Sequence, residues 1–327
     1  MNVFIWGGFI LLILILLALD LGVFHRKNKE IKTKEAVIWT IIWIVISLIF
    51  NVFIYYLYEN NLFGFAGEMQ GKEAALNFFT GYLIEKSLSV DNIFVIAMIF
   101  AYFSVPLKYQ HRLLFWGILG ALILRAIMII VGAALMEKFF WISYVFGALL
   151  LFSAIKMLTA RHDSVEPYKN PVVKLFKRFY PVSDDFADGK FFTRIDGKKA
   201  ASLLFIVLLI VETTDVMFAI DSIPAIFAVT TDSFIVFSSN VFAILGLRSL
   251  YFVLASVMDK FRYLKISLVF VLAFIGVKMI LLHHFKIPIQ VSLSIIAGIL
   301  FIGIGASIWA GKRDTAKLKS PLNKETE

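Results

Sequence analysis

Hydrophobic residues in this chain gather in long, nearly unbroken stretches. Nine can be drawn, at 3–24, 36–58, 74–104, 113–136, 139–159, 201–229, 233–257, 266–284 and 288–310. Each holds about 20 residues or more, the length an α-helix needs to cross ~30 Å of hydrocarbon. Only one long hydrophilic segment interrupts the series, at 160–200. Its Pro167, Pro171 and Pro181 argue against one continuous helix there. Phe191-Phe192-Thr193-Arg194-Ile195 before Asp196-Gly197 reads instead as a hairpin signal. The expected fold is all-α: a polytopic membrane helical bundle of about nine transmembrane helices.

Composition agrees. Hydrophobic residues make up 60% of the 327-residue chain and charged residues 17%, against ~25% charged in soluble domains. There is no cysteine, which excludes disulfides and thiolate metal sites. A net charge of +9 could fit a nucleic-acid binder. The basic residues lie between the hydrophobic stretches, however, so the expected partner is the lipid bilayer and not nucleic acid. Their distribution also orients the chain. Alternate connections starting with 25–35 collect 24 of the 32 Lys and Arg, and the opposite set collects three, Lys72, Lys138 and Lys286. The N-terminus is expected outside and the C-terminus in the cytoplasm.

The third to fifth stretches resemble the sixth to eighth. Glu85-x5-Asp91-Asn92-Ile93 matches Asp215-x5-Asp221-Ser222-Ile223. Ile118-Leu119-Gly120 precedes Arg125 as Ile244-Leu245-Gly246 precedes Arg248, and Phe152-x3-Lys156-Met157 matches Phe274-x3-Lys278-Met279. A unit of three spans must re-enter from the opposite face. This predicts a three-plus-three inverted-topology repeat with its site near the midplane. The segments are then 1–73 (two N-terminal helices), 74–159 (first repeat), 160–200 (cytoplasmic loop), 201–284 (second repeat) and 285–327 (last helix and tail).

The candidate chemistry is carboxylate. Glu85, Asp91, Glu212, Asp215 and Asp221 lie inside hydrophobic stretches, where a charge costs from ~3 to more than ~10 kcal/mol and usually marks a pathway. Asp20 lies near the end of its stretch and is expected to reach the interface. Structural ion pairing with Lys86, Arg125, Lys156, Arg248 and Lys278 is the competing explanation. Six residues along a helix turn ~600°, so Glu85 and Asp91 do not share a face, nor do Asp215 and Asp221. Pro224 and the Thr213-Thr214 pair suggest broken helices near Asp91-Asn92 and Asp221-Ser222. Carboxylates with Asn92 and Ser222 are hard oxygen donors suited to Mg2+, Ca2+ or Mn2+. No histidine lies centrally in a stretch, and Met217 or Met98 could supply one softer ligand. No nucleophilic triad, paired metal-binding histidines or phosphate loop is visible within the stretches, so an enzyme is not expected.

Glu85-x-Ser-Leu-Ser-x-Asp91-Asn92 and Glu212-x-x-Asp215-x-x-Phe-Ala-x-Asp221-Ser-Ile-Pro-Ala resemble the two signatures of the TerC family. Asn240-Val-Phe-Ala-Ile-Leu-Gly-Leu-Arg248 resembles a third stretch of it. The nine stretches and Pro181-Val-Ser-Asp-Asp185 are most similar to its Alx-type branch. The resemblance implies manganese efflux across a bacterial inner membrane, by one of a wider group of inverted-repeat exporters. It carries the family's acidic positions onto Glu85, Asp91, Glu212, Asp215 and Asp221, with Asn92 and Ser222 as neutral donors. Asp91 and Asp221 are expected as primary ligands, Glu85 and Asp215 as second ligands or proton carriers. Arg125 and Arg248 are expected to hold the metal-free carboxylates, compete with the metal, or pair with the closed gate. Mn2+ is substrate, protons are the coupling ion, and no cofactor is expected. An exporter of a small cationic or oxyanionic solute, and a membrane factor that metallates exported enzymes, are the alternatives.

Overall fold

The computed structural model describes residues 3–24, 33–64, 69–159, 170–183, 185–195, 197–255, 264–285 and 287–319. Its helices are α1 (Val3–Phe24), α2 (Thr33–Glu59), α3 (Gly71–Tyr102), α4 (Leu107–Lys138), α5 (Ile142–Thr159), α6 (Pro171–Phe179), α7 (Leu203–Phe227), α8 (Ser233–Ile244), α9 (Leu247–Ala255), α10 (Leu264–Leu281) and α11 (Ile289–Lys319). The protein is an all-α membrane bundle. Among the described residues α1, α2, α4, α5, α7 and α11 are both long and apolar enough to span a bilayer, and α8 with α9 makes a seventh, bent by 43°. All nine expected stretches fall on helices. α3, however, carries Lys72, Glu73, Glu85, Lys86 and Asp91 in its 32 residues, and the apolar part of α10, Ile266–Leu281, is short.

The hydrophilic segment behaves as its prolines and turn residues dictate. Asn170 caps α6, its side chain accepting from the Val172 and Val173 amides, and Pro171 opens the helix where no amide is needed. A hairpin follows, β1 (Phe192–Ile195) pairing antiparallel with β2 (Lys198–Ala201) in the register Phe192↔Ala201. β2 leads directly into α7, so the hairpin marks one end of the bundle. Residues 160–169 of this segment lie outside the described residues.

Packing directions can be read from the contacts. Gly81 meets Ser239, then Glu85 meets Asn240 and Lys86 meets Ala243, so α3 and α8 run parallel. Gly117 meets Val211, Arg125 meets Asp215 and Gly132 meets Phe227, so α4 and α7 also run parallel. α5 and α10 run antiparallel: Ser143 bonds His283, while Gly147 meets Gly276 backbone to backbone. α3 and α7 are antiparallel too, with Gly81 against Ile226 and Asp91 level with Met217–Asp221. α1 and α2 pack on α8 through aromatic contacts, Phe9 on Phe234 and Phe50 stacked on Phe242 with centroids 4.4 Å apart.

The expected breaks near Asp91 and Asp221 do not occur. α3 and α7 are continuous through both motifs. Pro224 lies within the last turn of α7, and Thr213 and Thr214 donate back to the Leu209 and Ile210 carbonyls at 2.7 Å without opening the helix. The chain breaks instead between α8 and α9, where Gly246 adopts φ +100° with its Cα facing Trp43. A Cβ there would lie 2.8 Å from Trp43 Cβ. Gly246→Ala is therefore expected to lower thermal stability in detergent, by about 1–3 kcal/mol from the backbone alone. Gly298→Ala on α11, with nothing within 4 Å, should leave the melting temperature unchanged or slightly raised.

Candidate functional site

The six-residue spacing sends the acids of each motif to different neighbours. Glu85 and Asp215 turn toward α4 and meet at Arg125. Arg125 Nη1 donates to Glu85 Oε1, while Nε and Nη2 grip both oxygens of Asp215 at 3.2 and 3.1 Å. Ser222 Oγ accepts from the same Nη1 at 3.3 Å, and Asn240 Nδ2 donates to Glu85 Oε2 at 3.0 Å. Arg125 is 1% exposed and Glu85 fully buried. This knot ties α3, α4, α7 and α8 together. It follows the structural-pairing explanation for these two acids, with Arg125 as their shared partner.

Asp91 and Asp221 turn the other way. Both line a cavity of about 500 Å3 between α3, α5 and α7, together with Asn92, Ser222, Ser153 and Lys156. Ser153 Oγ donates to Asp221 Oδ1 at 2.6 Å. Lys156 stands close enough for its charge to act on Asp221. The lining extends from the level of Leu88 and Ser222 toward Val95 on α3, Met157 on α5 and Met217 on α7. On α3 and α5 those are the halves nearer the hairpin, while on α7 the lining lies between Asp215 and Ser222, the two residues that Arg125 bonds, so the cavity lies beside Arg125 and extends toward the hairpin end. Phe152 at its wall is 64% exposed and Met217 58%. Met98, the other candidate soft ligand, is exposed at 40% and does not line the cavity. At the opposite end Phe227 closes the bundle, fitted into Gly132 of α4 and stacked on Phe146 of α5.

Not every expected residue joins this arrangement. Glu212 lies over Gly120 of α4, where no Cβ would fit, and its Oε2 has no hydrogen-bond partner. Arg248 is engaged by an acid outside the two motifs. It pairs at 2.8 Å with Asp20, and donates to the Asp20 carbonyl at 2.8 Å. Asp20 is thus 9% exposed and bonded inside the bundle, contrary to the expectation that it reaches the interface. Lys86 donates to the Ala243 carbonyl at 3.1 Å. Lys278 is 6% exposed. Among the described residues no three His, Asp or Glu side chains converge on one point. The acids form two pairs, each with one member from each motif, rather than one five-carboxylate cluster.

Two contributors escaped sequence reasoning. Ser153 lies one turn before Lys156 on the same face of α5, a spacing that could have signalled it. Asn240, 1% exposed in an apolar helix, was visible as an isolated amide.

These features, a helical membrane bundle with two carboxylates held by one buried arginine, define an integral membrane protein with a polar network inside its bundle. Residues 70–315 match the model of the integral membrane protein TerC family, and the chain belongs to that family. It is 49% identical to an uncharacterized membrane protein of Myxococcus xanthus, over 93% of this chain and 92% of that one. It is 46% identical to Alx of Escherichia coli K12, described as a proposed membrane-bound redox modulator, over 94% and 95% of the two chains. A membrane protein of Rickettsia bellii is 40% identical over 93% and 96%. No solved structure matches the chain.

Removing one partner of a buried ion pair costs ~3–5 kcal/mol because the other charge is left unpaired. Arg125→Met is expected to lower the melting temperature of the purified protein sharply. Adding Glu85→Gln and Asp215→Asn should restore much of the loss. A triple variant no more stable than Arg125→Met would show that the knot contributes through packing and not charge.

Proposed function

We propose that the protein exports a divalent cation, Mn2+ foremost, from the cytoplasm across the bacterial inner membrane in exchange for protons. The observation that carries this reading is the cavity in which Asp91 and Asp221, one from each motif, meet with Asn92, Ser222 and Ser153. All five offer hard oxygen, the donor class of Mn2+, Mg2+ and Ca2+. Two aspartates balance one divalent charge. At ~30 Å3 per water the cavity holds roughly fifteen, so the ion enters hydrated and exchanges only part of its shell. That suits a carrier, which must release what it binds.

The helix pairing supports the inverted repeat behind this mechanism. Swapping the two triplets exchanges α3 with α7, α4 with α8–α9 and α5 with α10. The parallel pairs α3–α8 and α4–α7 then interchange, and the antiparallel pairs α3–α7 and α5–α10 map onto themselves. The Lys and Arg distribution supports a cytoplasmic hairpin end, and with it a cavity reached from the cytoplasm. Glu85 and Asp215, held by Arg125, and the unpartnered Glu212 are the proton-carrying candidates. The chain has no cysteine, so a redox effect of the kind in the Alx description would come from the ion moved and not from a thiol here. Phe152 and Phe218 on the cavity wall favour a small organic cation as the second reading. The two aspartates against one lysine disfavour an oxyanion.

Asp91→Asn and Asp221→Asn should each abolish Mn2+ uptake into everted vesicles while membrane expression persists. Normal transport by either variant would sink the shared site, and loss of folded protein would favour structural pairing. Metal binding needs deprotonated ligands, so Mn2+ affinity should weaken as pH falls, and an imposed pH gradient should drive flux. A panel with Zn2+ and small organic cations discriminates the second reading. Lys174→Cys on α6 and Asn60→Cys after α2 should label from opposite faces of intact cells, Asn60→Cys from outside.

A further inference from the structure

The motif Phe-x3-Lys-Met occurs twice, as Phe152–Met157 in α5 and Phe274–Met279 in α10, on antiparallel helices that pack together. The structure treats the two copies oppositely. Lys156 and Met157 line the open cavity beside Asp221. Lys278 is 6% exposed and Met279 wholly buried. Lys278 makes no hydrogen bond or ion pair among the described residues. An ammonium taken out of water costs several kcal/mol even after relaxation, and nothing in this arrangement offsets it. Intramembrane ionisable groups of this kind usually mark a pathway.

The position of Lys156 indicates what that pathway is. Exchange α5 for α10 and α7 for α3, as the repeat does, and the pair Lys156–Asp221 becomes Lys278–Asp91. The end of α10 that bears Lys278 is the end remote from the hairpin, where Phe227 closes the bundle against Gly132 and Phe146.

We propose that Lys278 lines a second vestibule, closed in this structure, on the far side of Arg125, and that in the alternate state its ammonium faces Asp91 as that of Lys156 faces Asp221 here. This rests on the transporter reading and adds its exit site for a divalent cation. Each lysine closes on the aspartate that the ion has just left. The emptied site then never presents two uncompensated carboxylates, and the ammonium opposes return of the cation. Ser153 holds Asp221 on the entry side; its counterpart by the same motif is Ile275. The exit side therefore has one oxygen donor fewer and holds the ion more loosely, as an exporter requires.

The chain lacks cysteine, so single thiols report cleanly. Met157→Cys and Met279→Cys are placed in sealed vesicles of either orientation and treated with a membrane-impermeant maleimide. Met157→Cys should react from the hairpin side only. Met279→Cys should react from the opposite side only, and about tenfold faster when Mn2+ on the hairpin side drives turnover, as for a minor state of a few per cent brought to prominence. Lys278→Met should fold, having lost a buried charge, yet transport Mn2+ at least about tenfold more slowly, with Lys278→Arg retaining most of the rate. Met279→Cys that stays unreactive while Mn2+ moves, or that reacts from the hairpin side, overturns the proposal. So does a fully active Lys278→Met. Reaction of Met279→Cys from the far side in a protein that moves no Mn2+ upholds the vestibule and removes only the choice of ion.

Discussion

A guanidinium with 1% exposure in the middle of a membrane bundle sets the terms for everything around it. Arg125 cannot shed its proton, so it needs acids, and it takes Glu85 from α3 and Asp215 from α7. Those helices are fixed in height and rotation by where their carboxylates must point. Ser222 and Asn240 fill the remaining hydrogen-bond positions, as a buried charge network requires. Once the knot is tied, the six-residue offset leaves Asp91 and Asp221 facing α5 instead, in the cavity beside it. The knot thus positions the site and shares with its lining only Ser222.

Much of this could be read from the chain. Helix geometry alone says that Glu85 and Asp91 part company, and Asp215 and Asp221 likewise. The matching motifs say which acids regroup. The hairpin, the proline-limited α6 and the membrane class follow from local chemistry. Longer-range features do not. Asp20 looks interfacial by its place in α1, and only the approach of Arg248, 228 residues away, decides otherwise. Ser153 becomes informative only when α5 lies against α7.

The expected helix breaks were wrong for an instructive reason. Pro224 withdraws one amide, from the Ile220 carbonyl, and α7 ends three residues later at Phe227, so the loss falls beyond the motif and does not break it. Thr213 and Thr214 can satisfy carbonyls without disrupting the helix. In the sequence Gly246 stands out only through the repeat and the family stretch that contains it. Its positive φ and its contact with Trp43 are tertiary facts that give a glycine in an apolar run its meaning.

That break also makes the two halves mechanically unequal. α4 is one rod of 32 residues, stiff from Leu107 to Lys138, and carries Arg125 at its centre. Its partner in the other half is two short rods, α8 and α9, joined through Leu245 and Gly246. A load applied across the bundle is borne by the rod and relieved at the joint, since torsion at a single residue is far softer than bending a hydrogen-bonded helix. Arg125 is therefore carried by the stiffer element, and Arg248, bonded to Asp20 of α1, by the jointed one.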